Sequence, residues 1–73
     1  MKTTFRLSGE YIALCDLIKV CGLAESGGAA KHMVGEGLVT VDGQIELRKT
    51  CKIRAGQTVA GDGFTIAVLA ADA

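Results

Sequence analysis

The sequence has no proline and no tryptophan, and its only aromatic residues are two Phe and one Tyr. A nucleic-acid platform made of several stacked rings is therefore poorly supplied. Charge excess is also missing. Eight Lys and Arg balance eight Asp and Glu, so the net charge gives no hint of a polyanionic partner. No apolar run approaches the roughly 18 residues that would span a bilayer. Residues 1–7 carry Lys2 and Arg6 and lack an apolar core, so no secretory signal is expected there. Cys15, Cys21 and Cys51 are odd in number and contain no close pair of the zinc-ribbon kind. They are expected as reduced, mostly buried thiols of a cytoplasmic protein. No acid is placed to orient His32, and no stretch resembles a phosphate-cradling loop. The expectation is a chain without metal, without cofactor and without catalysis.

What is present fits a small binding domain. Seventy-three residues make one domain. Such a chain buries only about 60% of its unfolded surface, which suits a binding surface better than a walled cleft. Thr3 to Leu7 alternates and reads as a strand with Phe5 and Leu7 inward. Ser8 reads as a helix cap, and Tyr11 to Val20 carries an apolar stripe at helical spacing (Tyr11, Leu14, Cys15, Leu17, Ile18), stopped by Gly22. Ser26 caps a second helix, from Gly27 to about Glu36, with Ala29, Ala30, Met33 and Val34 toward the first and Gly37 as its stop. Leu38 to Val41 is a strand, Asp42-Gly43 a tight hairpin turn, and Gln44 to Glu46 the return. Gln57 to Ala60 and Phe64 to Leu69 are further strands, and positions 70–73 read as a fraying tail.

Between the hairpin and Gln57 lies the basic stretch Leu47-Arg48-Lys49-Thr50-Cys51-Lys52-Ile53-Arg54. It holds four of the chain's eight cations and no acid. A neutral chain that gathers half its positive charge in one segment has a local field that its net charge hides. Arg48, Lys49, Lys52 and Arg54 suit phosphate, as point charges or paired hydrogen bonds. The plainer alternative is a solvated edge that keeps a sheet from pairing. Ser26-Gly27-Gly28 offers unpaired N–H groups at a helix start, an anion site or simply a cap whose glycines allow close packing. The plainer of these two is preferred. Lys31, about one turn past Gly27, is a further phosphate candidate. His32 reads as a surface residue, and Lys19 and Arg6 as rim charges at most.

The order of these signals from Leu14 to Val68 resembles the S-four-type RNA-binding domain, named after a protein of the ribosomal small subunit. The matching pieces are Leu14-Cys15-Asp16-Leu17-Ile18, Gly22-Leu23-Ala24, Ser26 to Val34, Gly37 to Gly43 and Gly56-Gln57-Thr58-Val59. Leu-Cys-Asp-Leu, Glu-Ser-Gly and Arg-Lys-x-Cys-Lys-Ile followed by Ala-Gly-Gln-Thr-Val resemble its stand-alone bacterial YbcJ-like subgroup. The resemblance implies an α+β fold: a single domain over 1–73 with its core at 11–69. It would have an N-terminal strand and an antiparallel helix pair, packed on a small, mostly antiparallel sheet, with a basic loop after the hairpin. It also implies a non-catalytic, ribosome-associated module that grips structured RNA, ribosomal or transfer RNA. A monomer is the default expectation, and no membrane partner is expected. The RNA-binding residues would be Arg48, Lys49, Lys52, Arg54, Lys31, Ser26 and Gly27, with Leu47, Cys51 and Ile53 pinning the loop to the core. One departure stands out. Gly27 occupies a position where most members of that family carry Arg. The competing expectation is a protein-interaction module, using an apolar edge near Val59 to Leu69 or the acids Glu25, Glu36 and Glu46.

Overall fold

A computed structural model describes residues 1–71. Seven strands and two helices follow the order β1 (Lys2–Arg6), β2 (Ile12–Ala13), α1 (Leu14–Val20), α2 (Gly27–Gly35), β3 (Val39–Val41), β4 (Gln44–Ile45), β5 (Lys52–Ile53), β6 (Thr58–Gly61) and β7 (Phe64–Leu69). Five strands form one sheet in the order β1-β7-β6-β3-β4, and β2 pairs with β5 in a separate ribbon. The β1–β7 pairing is parallel and the others are antiparallel. This is the expected small α+β architecture. Positions 72 and 73 of the expected tail lie outside the described residues.

The core follows from period-2 strands laid on two helical stripes. Phe64, Ile66 and Val68 of β7, Val59 of β6 and Val39 of β3 are buried from one sheet face. Leu14, Cys15, Leu17 and Ile18 of α1, with Ala30 and Val34 of α2, meet them. Of the small residues on α2 only Ala30 is buried, and the expected close packing by glycines is absent, since a Cβ at Gly27 or Gly28 would meet no atom of α1. At Gly61 an added Cβ would run into the Phe64 ring, so only glycine fits where β6 turns into β7.

The local punctuation matches the sequence. Asp42 and Gly43 both take positive φ, 51° and 86°, as a two-residue hairpin turn requires. Asp42 adds a side-chain link, since the Thr58 N–H donates to its Oδ1 at 2.8 Å. Gly22 and Gly37 end the two helices with φ of 76° and 75°. The Leu23 N–H returns to the Ile18 carbonyl, and the Leu38 N–H to the Met33 carbonyl. Both helices thus close in the same left-handed motif, whose paired bonds satisfy carbonyls the helix leaves open.

Four expectations need correction. Ser8 caps no helix: α1 starts only at Leu14, and Ile12–Ala13 is strand. The reason is tertiary. The Leu14 N–H donates to the Cys51 carbonyl and the Cys15 N–H to the Lys49 carbonyl, each at 2.9 Å, so carbonyls of the basic stretch take the place of a side-chain cap. Second, the basic stretch is not loop throughout, because Lys52–Ile53 is β5. Third, Leu47 is no anchor, being 61% exposed, whereas Ile53 is fully buried and Cys51 half-buried. Fourth, Val59 to Leu69 is no sheet edge. β6 and β7 are interior strands, and the edges are β1 and β4.

Candidate nucleic-acid interface

The basic segment is fastened to the fold at two points. Its middle caps α1 through the two carbonyl bonds above. Its end pairs with β2, with Ile53 opposite Ile12 and Lys52 opposite Ala13. Its beginning only passes the turn that ends α2, where the exposed Leu47 and Ile45 side chains come closest to Gly37. The start of α1 and the end of α2 therefore abut the same segment, which makes the helix pair antiparallel.

The β2–β5 ribbon sorts side chains by face. Alternation sends Ile53 into the core and leaves Lys52 and Arg54 together on the outside. One step beyond the paired residues, the register sets Tyr11 opposite Arg54. Directly opposed residues lie on the same face. Accordingly, the Lys52 ammonium stands 5.0 Å from the Tyr11 ring centroid and the Arg54 guanidinium 5.6 Å. Both distances fall in the range where a ring quadrupole attracts a cation. Tyr11 itself is 46% exposed. Sequence reading put it on the buried stripe of a helix and missed it. The alternation Lys52-Ile53-Arg54 was the available sign of a strand at this place.

At the other end of the segment, Arg48 is engaged. Its Nε and Nη2 donate to the two carboxylate oxygens of Glu46 at 2.9 and 3.1 Å, and its backbone N–H donates to the same carboxylate at 2.9 Å. These bonds hold the Glu46 carboxyl well below the usual range, at about 2. In return the pair raises Arg48 further above its already high value. This is the only ion pair among the described residues, so Lys49, Lys52 and Arg54 face no carboxylate partner there. Glu46 was expected to face a partner protein and instead faces Arg48. A shallow hollow lined by Arg48, Thr50, Cys51 and Lys52 separates the two ends. Burial first, and the Glu46 charge second, push the Cys51 thiol up, which keeps it protonated at neutral pH and poorly nucleophilic.

The second predicted piece lies elsewhere. Ser26 does cap α2, its Oγ accepting from the Ala29 N–H at 3.1 Å. Gly27 has open space where a Cβ would stand. Lys31 is exposed on α2. However, the end of α2 that touches the basic segment is its C-terminal end. Ser26 and Gly27 start the helix at the opposite end, about 12 Å of helix rise away. The sequence-predicted residues thus form two groups: Arg48, Lys49, Lys52 and Arg54 on one segment, and Ser26, Gly27 and Lys31 on the outer half of α2. Among the described residues, no three His, Cys, Asp or Glu side chains gather to hold a metal ion, and no helix is long and apolar enough to cross a membrane.

Comparison with known proteins agrees with this architecture. A protein named "Putative RNA-binding protein YbcJ" from Escherichia coli K12 is 52% identical over 68 residues, covering 92% of this chain and 97% of that protein. A Shigella flexneri protein named "Uncharacterized protein YbcJ" matches to the same extent. The solution structure of YbcJ from E. coli superposes with a TM-score of 0.71 at 49% identity, covering 90% of this chain and 85% of that one. That structure is described as revealing "a recently discovered ALFAL motif involved in RNA-binding". The profile of the S4 domain matches residues 5–69. With nearly its whole length accounted for, from the first strand through the capped helix pair to the last strand, the chain belongs to the S4 domain family.

Proposed function

We propose that this chain is an RNA-binding module that recognises structured RNA, ribosomal or transfer RNA, through phosphate contacts and shape, without catalysis of its own. The observation that carries the reading is the open cationic face of the β5 end. Among the described residues, Lys49, Lys52 and Arg54 face no carboxylate, on a segment tied to the core at two points, in a chain with no net charge. A fixed cluster of cations loses little freedom on meeting phosphate, and it releases the counterions that drive such binding. The E. coli relative whose name speaks of RNA binding, and the YbcJ structure described in those terms, support the same reading. Arg48 joins when it exchanges Glu46 for a phosphate. Lys31 and the N–H groups beside Ser26 and Gly27 supply a second anion contact on α2. A-form RNA presents mainly phosphates and 2′-hydroxyls to such a surface. The proposed working unit is one chain. Its three free cysteines suit a reducing cytoplasm.

The test is a titration of ribosomal and transfer RNA at several salt concentrations. About four to six phosphate contacts give a log–log salt slope of roughly −3 to −5. A slope near zero, or no binding at low salt, would remove the proposal. Pull-down from lysate with and without ribonuclease adds a second arm, in which a partner set untouched by ribonuclease favours a protein partner.

A further inference from the structure

We infer that the outer face of the β2–β5 ribbon is a nucleotide subsite: Tyr11 stacks on one unpaired base, and Lys52 and Arg54 hold the phosphates beside it. The inference rests on the RNA-binding reading and adds to it a ligand feature, an unpaired nucleotide, that charge alone does not require.

The first support is the placement of the aromatic residues. Phe64 is buried and Phe5 is packed against the core, whereas Tyr11 remains 46% exposed. Core packing does not explain a half-exposed ring beside two cations. The second support is rigidity. Tyr11 directly precedes β2, and β2 is pinned by its pairing with β5, by buried Ile53 and by the carbonyl bonds at the start of α1. A ring on such a support loses little entropy when a base stacks on it. The third support is the company the ring keeps. Lys52 at 5.0 Å and Arg54 at 5.6 Å bring two positive charges to its face, and neither has a carboxylate among the described residues. A ring that accepts a base face, flanked by groups that accept phosphate, matches the parts of one unstacked nucleotide. Arg54 can also extend the stack with its planar guanidinium. A continuous duplex offers no base face, so the ring would gain nothing from it. The subsite therefore selects RNA with an unpaired nucleotide, as in a loop or bulge.

Tyr11 is the only Tyr of a chain without Trp, so intrinsic emission reports this ring alone. The full chain is titrated, at fixed salt, with two RNAs of equal phosphate count: a hairpin with unpaired purines in its loop and a blunt duplex. The expected result is quenching of tyrosine emission by the hairpin and roughly tenfold tighter binding to it, the size of one base stacked on a side chain. Tyr11→Leu should lose that preference, Tyr11→Phe should keep it, and the salt slope should be the same in all three proteins. A hairpin whose loop bases are abasic should fail to quench the unaltered chain, an arm that needs no variant to fold. Equal binding of hairpin and duplex, no change of emission at saturation, or an undiminished preference in folded Tyr11→Leu would overturn the subsite while leaving the RNA reading intact. Salt-dependent binding to neither RNA would instead bring down the RNA reading, and the subsite with it.

Discussion

Arg48 and Arg54 stand near opposite ends of one basic segment and meet opposite surroundings. Arg48 is clamped by both oxygens of Glu46, while Arg54 leans over the Tyr11 ring beside Lys52 with no acid in reach among the described residues. A clamped guanidinium reaches phosphate only by giving up one charge-assisted pair for another, so its net gain is small. A cation over an aromatic face keeps its full charge and its hydrogen-bond donors. Equal residue types thus meet unequal surroundings, and on the proposed reading position in the fold decides which cation counts.

The most damaging way to break this comparison is to remove the support of the open end. Ile53→Ala empties a fully buried site and should cost about 2–5 kcal/mol of stability, read from urea unfolding. The ribbon should loosen with it. Unaltered stability would mean that β5 is not anchored as described. Next comes charge. Lys52→Ala combined with Arg54→Ala should leave the fold intact, weaken RNA binding strongly and shallow the salt slope by about 1.4 to 1.8. Arg48→Ala should shallow it by clearly less than one contact. If Arg48→Ala proves equal to either single variant, the two ends do not differ as argued. A smaller effect tests the separate group on α2. Gly27→Arg meets open space at its Cβ and should steepen the slope by up to about one contact. Unchanged binding would take Ser26 and Gly27 out of the interface.

Much of this was legible in the sequence, for a common reason. The Asp42-Gly43 turn, the glycine stops at Gly22 and Gly37 and the Ser26 cap are local, and each depends on a backbone need that few residue types meet. The start of α1 was not legible. Tyr11 to Ala13 continues a helical stripe by spacing, and only pairing with the distant Lys52–Ile53 draws it into strand. The same pairing turns Tyr11 outward, beside Lys52 and Arg54. The cation cluster was found by counting, but its neutralised end was missed because Glu46 lies one residue before the counted window. Two residues apart on an extended segment, Glu46 and Arg48 fall on one side, and that spacing could have revealed the pair.

Glu46 also offers the most direct way to sharpen the comparison. Glu46→Gln removes the competing charge and frees the Arg48 guanidinium. RNA binding should strengthen modestly, and the salt slope should steepen by about one contact. No change would mean that Arg48 faces away from the RNA even when free.

The smallest effect concerns pH and tests whether the clamp exists in solution. The Arg48 side-chain and backbone hydrogen bonds lower the Glu46 carboxyl from 4.5 to about 2. A depressed folded value means that the pair contributes stability above the unfolded value of 4.5 and loses it as pH falls toward about 2. The pair lies at the surface, where such contributions are small, so the sensitive readout is the carboxyl resonance rather than the melting curve. An NMR titration should place the Glu46 midpoint near 2 in the unaltered chain, and Arg48→Ala should return it toward 4.5. Among the described residues the Arg54 end has no acid of this kind, so RNA binding there should be indifferent to acidification until the carboxylates elsewhere begin to titrate. A Glu46 midpoint at the ordinary value in the unaltered chain would mean that Arg48 is as free as Arg54. The segment would then present four equivalent cations rather than one clamped and three open.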